Sequence, residues 1–346
     1  MSAIVVIQYK CPNCGDDMGF DSESGMLSCP SCERQDPIES FPEENMQSFF
    51  SEDEAKEYHC NNCGAVILTE AETTATTCGF CGAGVVLGDR LSGKLAPAKV
   101  IPFTISKEEA MQAFRKWCKN GRLTPKGFMN ADRIKGITGI YVPFWLYDLN
   151  SRAQVKAVGT KVREYSQGDY IVTETKYYDV YRDIDLHYVK VPVDASEKMN
   201  DELMDRLEPY EYSLLKKFKT PYLAGYIAEK YNYDDQELLP RVKQKINEFT
   251  DNYIRSTVSG YSSVRYENKQ IDTRKEQADY VLLPVWMVYY DYEKVEHTFA
   301  MNGQTGKVVG RPPISVGKVA TWFGGIAGTV FITLRLISWM IVGELW

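Results

Sequence analysis

The sequence predicts a multidomain chain that combines two small β zinc ribbons, an α+β middle domain with antiparallel strands and a C-terminal transmembrane helix. Two observations support this fold class. Eight of the nine cysteines form Cys-x-x-Cys pairs near the N-terminus, and an apolar run near the C-terminus reaches the length of a membrane span. The predicted segments are the first ribbon (1–38), an acidic connector (39–57), the second ribbon (58–98), the α+β domain (99–313) and the membrane anchor (314–346).

The cysteine pairs repeat with a fixed spacing. In each half of the set the second pair begins 18 residues after the first, and the two halves are offset by 49 residues. Two cysteines three apart share a tight turn, and two such turns supply the four thiolates that tetrahedral zinc prefers. We therefore expect two Zn²⁺ ions. The eight predicted ligands are Cys11, Cys14, Cys29, Cys32, Cys60, Cys63, Cys78 and Cys81.

Four thiolates leave no coordination position for water, so these zinc sites are predicted to be structural, each contributing on the order of 10 kcal/mol to folding. The competing interpretation is a set of disulfides or redox-active thiols. Residues 4–7 are too short and too uncharged for an export signal and are predicted to be a strand that enters the first ribbon. The head is therefore expected in a reducing cytoplasm.

Cys118, the ninth cysteine, is predicted to be a core residue rather than a nucleophile.

Charge is unevenly distributed along the chain. Residues 1–98 hold 16 acidic and 5 basic side chains, a balance of −11, so the remainder carries +4 of the overall −7. Binding a phosphate backbone needs clustered lysine and arginine. Nucleic acid is therefore disfavoured as a partner, and the acidic head favours protein partners.

An acidic connector joins the two ribbons. Residues 33–57 include Phe41, Phe49 and Phe50 among acidic side chains. The favoured interpretation is a helical connector that packs these rings between the ribbons, and the alternative is a docking motif.

In the middle domain, Ser106-x-x-Glu109 is a capping box that opens a helix, which is expected to end at Gly121. The runs that follow alternate apolar and polar residues, which is typical of antiparallel strands with one solvent-exposed face. The predicted strands span 139–148, 152–162, 170–183 and 186–193.

A helical block follows the strands. It is predicted to contain helices at 198–207, 221–231 and 234–258. In the last of these, apolar side chains three or four apart form a stripe that is expected to face the core. The stripe consists of Leu239, Val242, Ile246, Phe249 and Tyr253.

Two segments of the middle domain resemble each other. Residues 142–147 (VPFWLY) match residues 283–288 (LPVWMV), with Trp145 aligned to Trp286 and Pro143 aligned to Pro284. We interpret them as related strand units, each with a proline at strand entry and a buried tryptophan. A pair of aromatic ligand clamps is the alternative.

Residues 301–306 (MNGQTG) close the second unit. Asn302-Gly303 is a strong hairpin-turn signal, and Gly306 can complete the turn. A phosphate-binding loop is disfavoured because no Gly-Lys-Ser/Thr follows.

The sequence offers little support for catalysis. His59 adjoins a complete cysteine set, whereas His187 and His297 lie in alternating strand patterns. The sequence contains no nucleophile elbow, paired-acid motif or nucleotide fingerprint. We therefore predict a protein that is not an enzyme.

Residues 319–342 are predicted to cross the bilayer as one helix and to contact its lipid. Sixteen uncharged residues precede Arg335. An arginine within a membrane costs roughly 2.5–3.5 kcal/mol, which the surrounding apolar side chains can offset. Snorkelling, or an acidic group on a partner helix, would lower this cost. The alternatives are a buried helix of a soluble protein and an interfacial helix.

Arg311 and Lys318 precede the span and favour a cytoplasmic N-terminal side. We therefore expect a single-pass protein of the cytoplasmic membrane, with its N-terminal domains in the cytoplasm. The short sequence beyond the span predicts a tail anchor that is inserted after translation.

The motifs also resemble a known family. The order CPNCG–CPSC, CNNCG–CGFC, PFWLYD, PVWMVYYDY and FAMNGQTGKVVG, followed by an apolar C-terminus, is similar to bacterial transcription factor IIB-type zinc-ribbon membrane proteins, in particular the YdjG-like group. Some members carry a primosomal protein N′-like helicase label, which shared zinc ribbons alone can explain. The resemblance covers essentially the whole chain, and FAMNGQTGK is its most specific part. The chain departs from the family by ending after one span, where more membrane-embedded sequence is expected.

The resemblance implies a membrane-bound adaptor of the envelope-stress system. With a second membrane protein, such adaptors help to localise phage-shock protein A, through a virion-core or flotillin-like partner, to damaged membrane. We therefore predict a scaffold that recruits protein partners. A nucleic-acid- or replication-associated protein tethered to the membrane is the alternative, and an enzyme ranks third.

Overall fold

The structure is a computed structural model that describes residues 6–41, 56–60, 66–69, 73–77, 83–87, 97–119, 123–125, 128, 134–292 and 295–343. Some of the predictions fall on residues outside these ranges. They concern Phe49, Phe50, Cys63, Cys78, Cys81 and Gly121.

The described part of the head contains eight short strands. They are β1 (Val6–Ile7), β2 (Gly19–Asp21), β3 (Met26–Ser28), β4 (Gln35–Asp36), β5 (Lys56–His59), β6 (Val66–Thr69), β7 (Thr73–Thr77) and β8 (Gly84–Leu87). Strands β2, β3 and β4 form a three-stranded antiparallel sheet, as a ribbon requires, and β5 pairs with β6. A 3₁₀ turn at Ile38–Ser40 follows the first ribbon.

The N-terminal strand joins the second half of the head rather than the first. β1 pairs with β8, with Ile7 opposite Val86, and β7 pairs with the middle domain through Ala75 and Ala228. The predicted strand is confirmed for Val6–Ile7, which precedes the first cysteine turn, although its strand partner lies in the second half of the head. The pairing buries Ile7 and Val86 in a shared apolar cluster, which explains the choice of partner.

Within the described ranges, the middle domain combines eight further strands with three helices, and the C-terminus adds a fourth helix. The strands are β9 (Lys99–Val100), β10 (Ile134–Gln167), β11 (Tyr170–Asp194), β12 (Lys216–Lys217), β13 (Ile227–Glu229), β14 (Ser263–Tyr292), β15 (Val295–Asn302) and β16 (Val308–Gly310). The helices are α1 (Lys107–Lys119), α2 (Asp201–Arg206), α3 (Leu239–Thr257) and α4 (Val316–Gly343).

Eleven of the described strands form one mixed sheet in the order β1-β8-β7-β13-β10-β14-β15-β16, with β11 beside β10 and with β9 beside β14 and β12. The four strands predicted between residues 139 and 193 are instead two long strands, β10 and β11. These two stay paired from Phe144↔Asp194 to the hairpin end at Gln167↔Tyr170. We call the three-stranded extension formed by residues 149–167, 170–188 and 263–275 the arm.

The arm has one solvent-exposed face, as its alternating sequence predicts. On β10, Ala153 and Val155 are buried, whereas the intervening Arg152 and Gln154 are exposed. Helix α3 covers the buried face, where Ile254 packs against Ala153 and Val155. Each strand therefore shows one apolar and one polar side.

Helix α3 turns a different face to the sheet than the predicted stripe implies. Val242 and Ile246 are buried as predicted, but Phe249 is 60% exposed and Tyr253 is 48% exposed. Thr250 is buried in their place because its hydroxyl bonds to the Tyr188 hydroxyl at 2.7 Å. A hydrogen bond between helix and sheet thus makes a polar residue part of the core.

The other helix predictions have mixed outcomes. The capping box of α1 is confirmed, since the Ser106 backbone N–H donates to the Glu109 carboxylate at 2.9 Å. Helix α2 is shorter than predicted and begins after Asn200, whose side chain accepts a hydrogen bond from the Leu203 N–H.

The prediction of a helix at 221–231 is wrong. A 3₁₀ turn at Thr220–Leu223 and strand β13 occupy this segment, with Gly225 between them at a φ of 89°.

The sequence repeat corresponds to a local two-fold axis. Val142 pairs with Leu283, its own equivalent in the repeat, so the two segments run antiparallel around this point. Both prolines therefore lie inside strands rather than at their entries. The indole N–H of Trp145 donates to the Tyr233 carbonyl at 2.9 Å, and that of Trp286 donates to the Ile105 carbonyl at 3.0 Å. These bonds favour structural tryptophans over ligand clamps.

The Asn-Gly turn between β15 and β16 is confirmed and joins several parts of the domain. Asn302 is fully buried, and its side-chain amide donates to the carbonyls of Leu207 and Pro209. Its side-chain oxygen accepts from the backbone N–H groups of Gln304 and Thr305. One side chain therefore links the turn to the segment after α2.

Asn302→Ala is expected to destabilise the protein by about 3 kcal/mol, because it leaves several buried backbone groups without a hydrogen bond. Urea unfolding of the detergent-solubilised chain, followed by tryptophan fluorescence, measures the change. Asn268→Ala, at an exposed position on β14, is the matched control and should change stability by less than about 0.5 kcal/mol. Equal stabilities for the two variants would contradict the role of Asn302.

Candidate metal centre and membrane helix

Four cysteines of the first ribbon converge on one point. The sulfurs of Cys11, Cys14, Cys29 and Cys32 all lie within 4.8 Å of one another. The Sγ atoms of Cys11 and Cys32 are 3.5 Å apart, and those of Cys14 and Cys29 are 3.4 Å apart. A tetrahedral zinc ion with Zn–S bonds of about 2.3 Å separates its sulfurs by about 3.8 Å. The cluster could therefore hold a metal ion such as zinc after a small expansion.

The two cysteine turns have the same backbone geometry. The Gly15 N–H donates to the Cys11 carbonyl at 2.8 Å, and the Glu33 N–H donates to the Cys29 carbonyl at 3.0 Å. Gly15 and Glu33 both adopt a positive φ, of 77° and 57° respectively. Glu33 thus takes the left-handed conformation without the glycine that favours it. The turn geometry, rather than the glycine, is what the site requires.

The thiols of the cluster influence one another's ionisation. A hydrogen bond from the Asn13 side chain, and then one from the backbone of Arg34, lower the pKa of Cys32 to about 6. A backbone hydrogen bond from Asp16 acts to lower the pKa of Cys14, but the neighbouring thiols of Cys29 and Cys32 raise it to about 12. A divalent cation removes this conflict because it stabilises every thiolate that it contacts.

Two side chains near the cysteines were not predicted to contribute. Asn13 lies between the first two cysteines and polarises Cys32. Gln8 donates from its amide nitrogen to Cys60 Sγ at 3.7 Å. The position of Asn13 inside the Cys-x-x-Cys turn could have identified it from the sequence. The contact of Gln8 could not be identified in this way, because the fold brings together two residues that are 52 positions apart in the chain.

The second cysteine set is only partly described. Cys60 is buried at the end of β5, and its three predicted co-ligands lie outside the described residues.

Cys118 lies in the core on α1, where burial raises the pKa of its thiol to about 11. This agrees with its predicted role as a packed residue, since a raised pKa suppresses the reactive thiolate.

The first ribbon is packed against the middle domain. Phe20 contacts the ring of Tyr222 with centroids 5.4 Å apart, and the Phe20 N–H donates to the Ala224 carbonyl at 2.9 Å. The Tyr9 hydroxyl bonds to the Thr220 hydroxyl at 2.6 Å. The four-cysteine cluster therefore has a fixed position relative to the main sheet.

Helix α4 is long and apolar enough to cross a membrane. The candidate span Val316–Trp339 has a mean hydropathy of 1.4, and none of it is buried against the described chain. The guanidinium of Arg335 lies over the Phe331 ring at 5.9 Å. The alternative of a helix buried in the core of this chain does not agree with the exposure of α4.

The start of α4 is attached to the folded body. The Ser315 N–H donates to the Leu123 carbonyl at 2.8 Å, and the Lys318 ammonium donates to the Thr124 carbonyl at 2.6 Å. Arg311 forms an ion pair with Glu202. The helix therefore leaves the body from a defined point.

The arm and α4 leave the main sheet at opposite ends. Gly310, shortly before α4, is level with the start of β10 across the sheet. It pairs with Phe299 on β15, Phe299 pairs with Val288 on β14, and Val288 pairs with Ile137 on β10. The tip of the arm lies at Gln167, at the other end of the same strand. About thirty residues of strand at about 3.3 Å each place these points roughly 100 Å apart.

Comparison with known proteins identifies the family. The chain is 68% identical over 339 residues to a protein of Bacillus subtilis (strain 168) named Uncharacterized protein YdjG, and the match covers 98% of this chain and 99% of that protein. The chain belongs to the YdjG family. No family model matches it, and no solved structure matches it. The predicted YdjG-like resemblance is confirmed, whereas the transcription factor IIB-type ribbon and the link to phage-shock protein A stay predictions.

Replacing two ligands in one turn tests the metal centre. The double variant Cys11→Ser/Cys14→Ser is expected to lose one zinc ion per chain, because two thiolates cannot complete a tetrahedral site. Elemental analysis of the purified full chain measures this. Cys118→Ser is the control, since that cysteine lies outside the cluster, and its metal content should equal that of the parent. Equal zinc in the double variant and the parent would refute the assignment.

Proposed function

We propose that this protein is a non-enzymatic scaffold that is anchored in the cytoplasmic membrane by α4 and recruits protein partners on the cytoplasmic side. The observation that carries the proposal is the exposure of an apolar helix 28 residues long. An exposed apolar surface of this size marks a membrane or protein contact. The length of the helix, about 42 Å, exceeds the roughly 30 Å of a bilayer core.

Two structural zinc ions complete the proposal. The first is held by the described four-thiol cluster, and the second by the set that begins at Cys60 and repeats its spacing. Thiolate-only sites stabilise small folds without supplying a water for chemistry. The ribbons would thus serve as rigid docking surfaces, and their acidic balance of −11 over residues 1–98 favours partners with basic surfaces.

The cellular role belongs to the same proposal. The motif order of the cysteine pairs and of FAMNGQTGK resembles membrane adaptors of the envelope-stress system. We assign the protein to the localisation of phage-shock protein A, together with a second membrane protein. Arg311 and Lys318, which precede the uncharged run that begins at Val319, support the orientation that this role requires, with the ribbons in the cytoplasm.

Charge placed in the middle of α4 should abolish membrane insertion. Ile326→Arg/Val330→Arg adds roughly 6 kcal/mol to the cost of insertion, at about 3 kcal/mol for each arginine. Alkaline carbonate extraction of membranes should release this variant and retain the parent. Arg335→Leu is the control and should remain in the membrane pellet. Recovery of the parent chain in the soluble fraction would overturn the anchor.

Affinity capture tests the scaffold role. The tagged full chain, purified from detergent-solubilised membranes, is expected to recover phage-shock protein A and a second membrane protein. Cys11→Ser/Cys14→Ser should lose these partners, and Cys118→Ser should keep them. Recovery of replication proteins, or of DNA whose binding weakens steeply with salt, would contradict the proposal and point to a nucleic-acid role.

A further inference from the structure

The arm presents an open strand edge. Strand β11 pairs with β10 on one side, and among the described strands nothing pairs with its other side. The open edge extends from Tyr170 to about Lys190, where φ turns positive at 56°. An unpaired edge offers a row of backbone donors and acceptors to a further strand. The length of this edge makes it a substantial surface.

Aromatic side chains are exposed along this edge. Tyr170, Tyr177 and Tyr181 are 78%, 73% and 61% exposed, and Ile171 is 78% exposed. Tyrosine is enriched in the cores of protein interfaces, because it offers a large contact area at low entropic cost. These residues therefore mark the edge as a contact surface.

The charges of β11 select one way of pairing with a second copy of itself. Two antiparallel copies related by a two-fold axis normal to the sheet must place one residue opposite itself. With Tyr178 at the axis, Glu174 lies opposite Arg182 of the second copy, and by symmetry this contact occurs twice. Cross-strand pairs of opposite charge stabilise a sheet.

The other registers with an axis between residues 176 and 182 lack this complementarity, whereas an axis at Thr175 places Glu174 opposite Lys176 but shortens the paired stretch of β11 from residues 170–186 to residues 170–180. An axis at Lys176, Asp179 or Arg182 places like charges directly opposite each other. An axis at residue 181 places Asp179 opposite Asp183. An axis at Tyr177 or Val180 creates neither attraction nor repulsion within β11. The register centred on Tyr178 is thus favoured over its neighbours.

Apolar contacts agree with the same register. On the face of the arm that α3 covers, Val172 lies opposite Ile184 of the second copy, and Tyr170 lies opposite Leu186. Arg182 donates to the carbonyls of Thr257 and Tyr181, and no carboxylate of the described chain lies within ion-pair distance of it. Glu174 forms an ion pair with Lys176 at 3.3 Å within its own chain, but both side chains are exposed. Exposed ion pairs of this kind are weak, so Glu174 can exchange Lys176 for Arg182 of a second copy.

We propose that two copies of this chain associate through the open edge of β11, antiparallel, with Tyr178 of each copy at the two-fold axis. Three strands from each arm then form one continuous sheet. Tyr178 lies opposite Gly159 on β10, which is about 22 residues from the anchor end at Ile137. The two membrane helices consequently leave the dimer about 145 Å apart, at 3.3 Å per residue on both sides of the axis.

A charge swap tests the register. In the full chain in detergent, Glu174→Arg is expected to weaken dimerisation at least tenfold, because it places the new guanidinium of each copy against Arg182 of the other. The double variant Glu174→Arg/Arg182→Glu should restore it. These positions are about 26 Å apart within one strand, so rescue within a single chain is impossible. Glu164→Arg, an exposed acid on β10, is the matched control and should leave dimerisation unchanged.

Analytical ultracentrifugation gives the dissociation constants, and circular dichroism verifies that each variant folds. A photo-reactive phenylalanine at position 178 should cross-link two copies, whereas the same group at Tyr253, exposed on α3, should not. A monomeric parent chain, a dimer that Glu174→Arg does not weaken, or a double variant that remains monomeric would overturn the proposal. Cross-linking of position 178 to a different protein alone would also refute it.

Discussion

The pairing of β10 with β14 is the contact on which the other parts of the structure depend. β10 also pairs with β11 and β13, and β13 pairs with β7, so the arm and the head are both hydrogen-bonded to strands that this pair supports. At its centre Val142 and Leu283 are fully buried. Nearby, Phe103 stacks on Tyr226 at 4.2 Å, and Gly139 makes room because a Cβ there would lie 2.5 Å from the Tyr226 ring. Close packing of rings and backbone thus holds the domain together.

Polar contacts position α3 on the base of the arm. Arg241 pairs with Asp194 at 2.8 Å, and Lys245 pairs with Asp205 at 3.0 Å and with Glu208 at 2.6 Å. Burial raises the pKa of Asp194 to about 6, against the opposing attraction of Arg241. Ion pairs of this kind add little net stability, but they are directional. They fix the position of a helix whose apolar side chains alone would permit sliding along the sheet.

Local signals in the sequence were sufficient for the features that local geometry controls. The cysteine turns, the capping box at Ser106 and the turn at Asn302 each depend on residues within a few positions of one another. The length of β10 was not predictable in this way. Its polar residues 150 and 151 resemble a break between strands, but they pair with both β11 and β14. Continuity of a central strand comes from its two neighbours, which lie far away in sequence.

The same reason explains why the buried face of α3 and the partner of β1 do not follow from the sequence. The burial of Thr250 depends on Tyr188, which lies 62 residues earlier in the chain. The pairing of β1 with β8 joins segments about 80 residues apart. The cysteines of the head show both what the sequence reveals and what it does not. Their spacing predicted the cluster, whereas the contact between Gln8 and Cys60 requires the folded head. Sequence periodicity describes an element, and its partners decide which face is buried.

The attachment of α4 constrains how the protein stands on a membrane. Lys318 lies in the first turn of the helix and bonds to the body through the Thr124 carbonyl. If the helix enters the bilayer at Val319, no free linker separates the folded body from the lipid headgroups. The strands then determine how far the rest of the chain reaches, since the tip of the arm lies at the end of the sheet opposite the anchor. A stiff sheet therefore sets the distance between the anchor and the tip of the arm, which a flexible tether of the same length would leave variable.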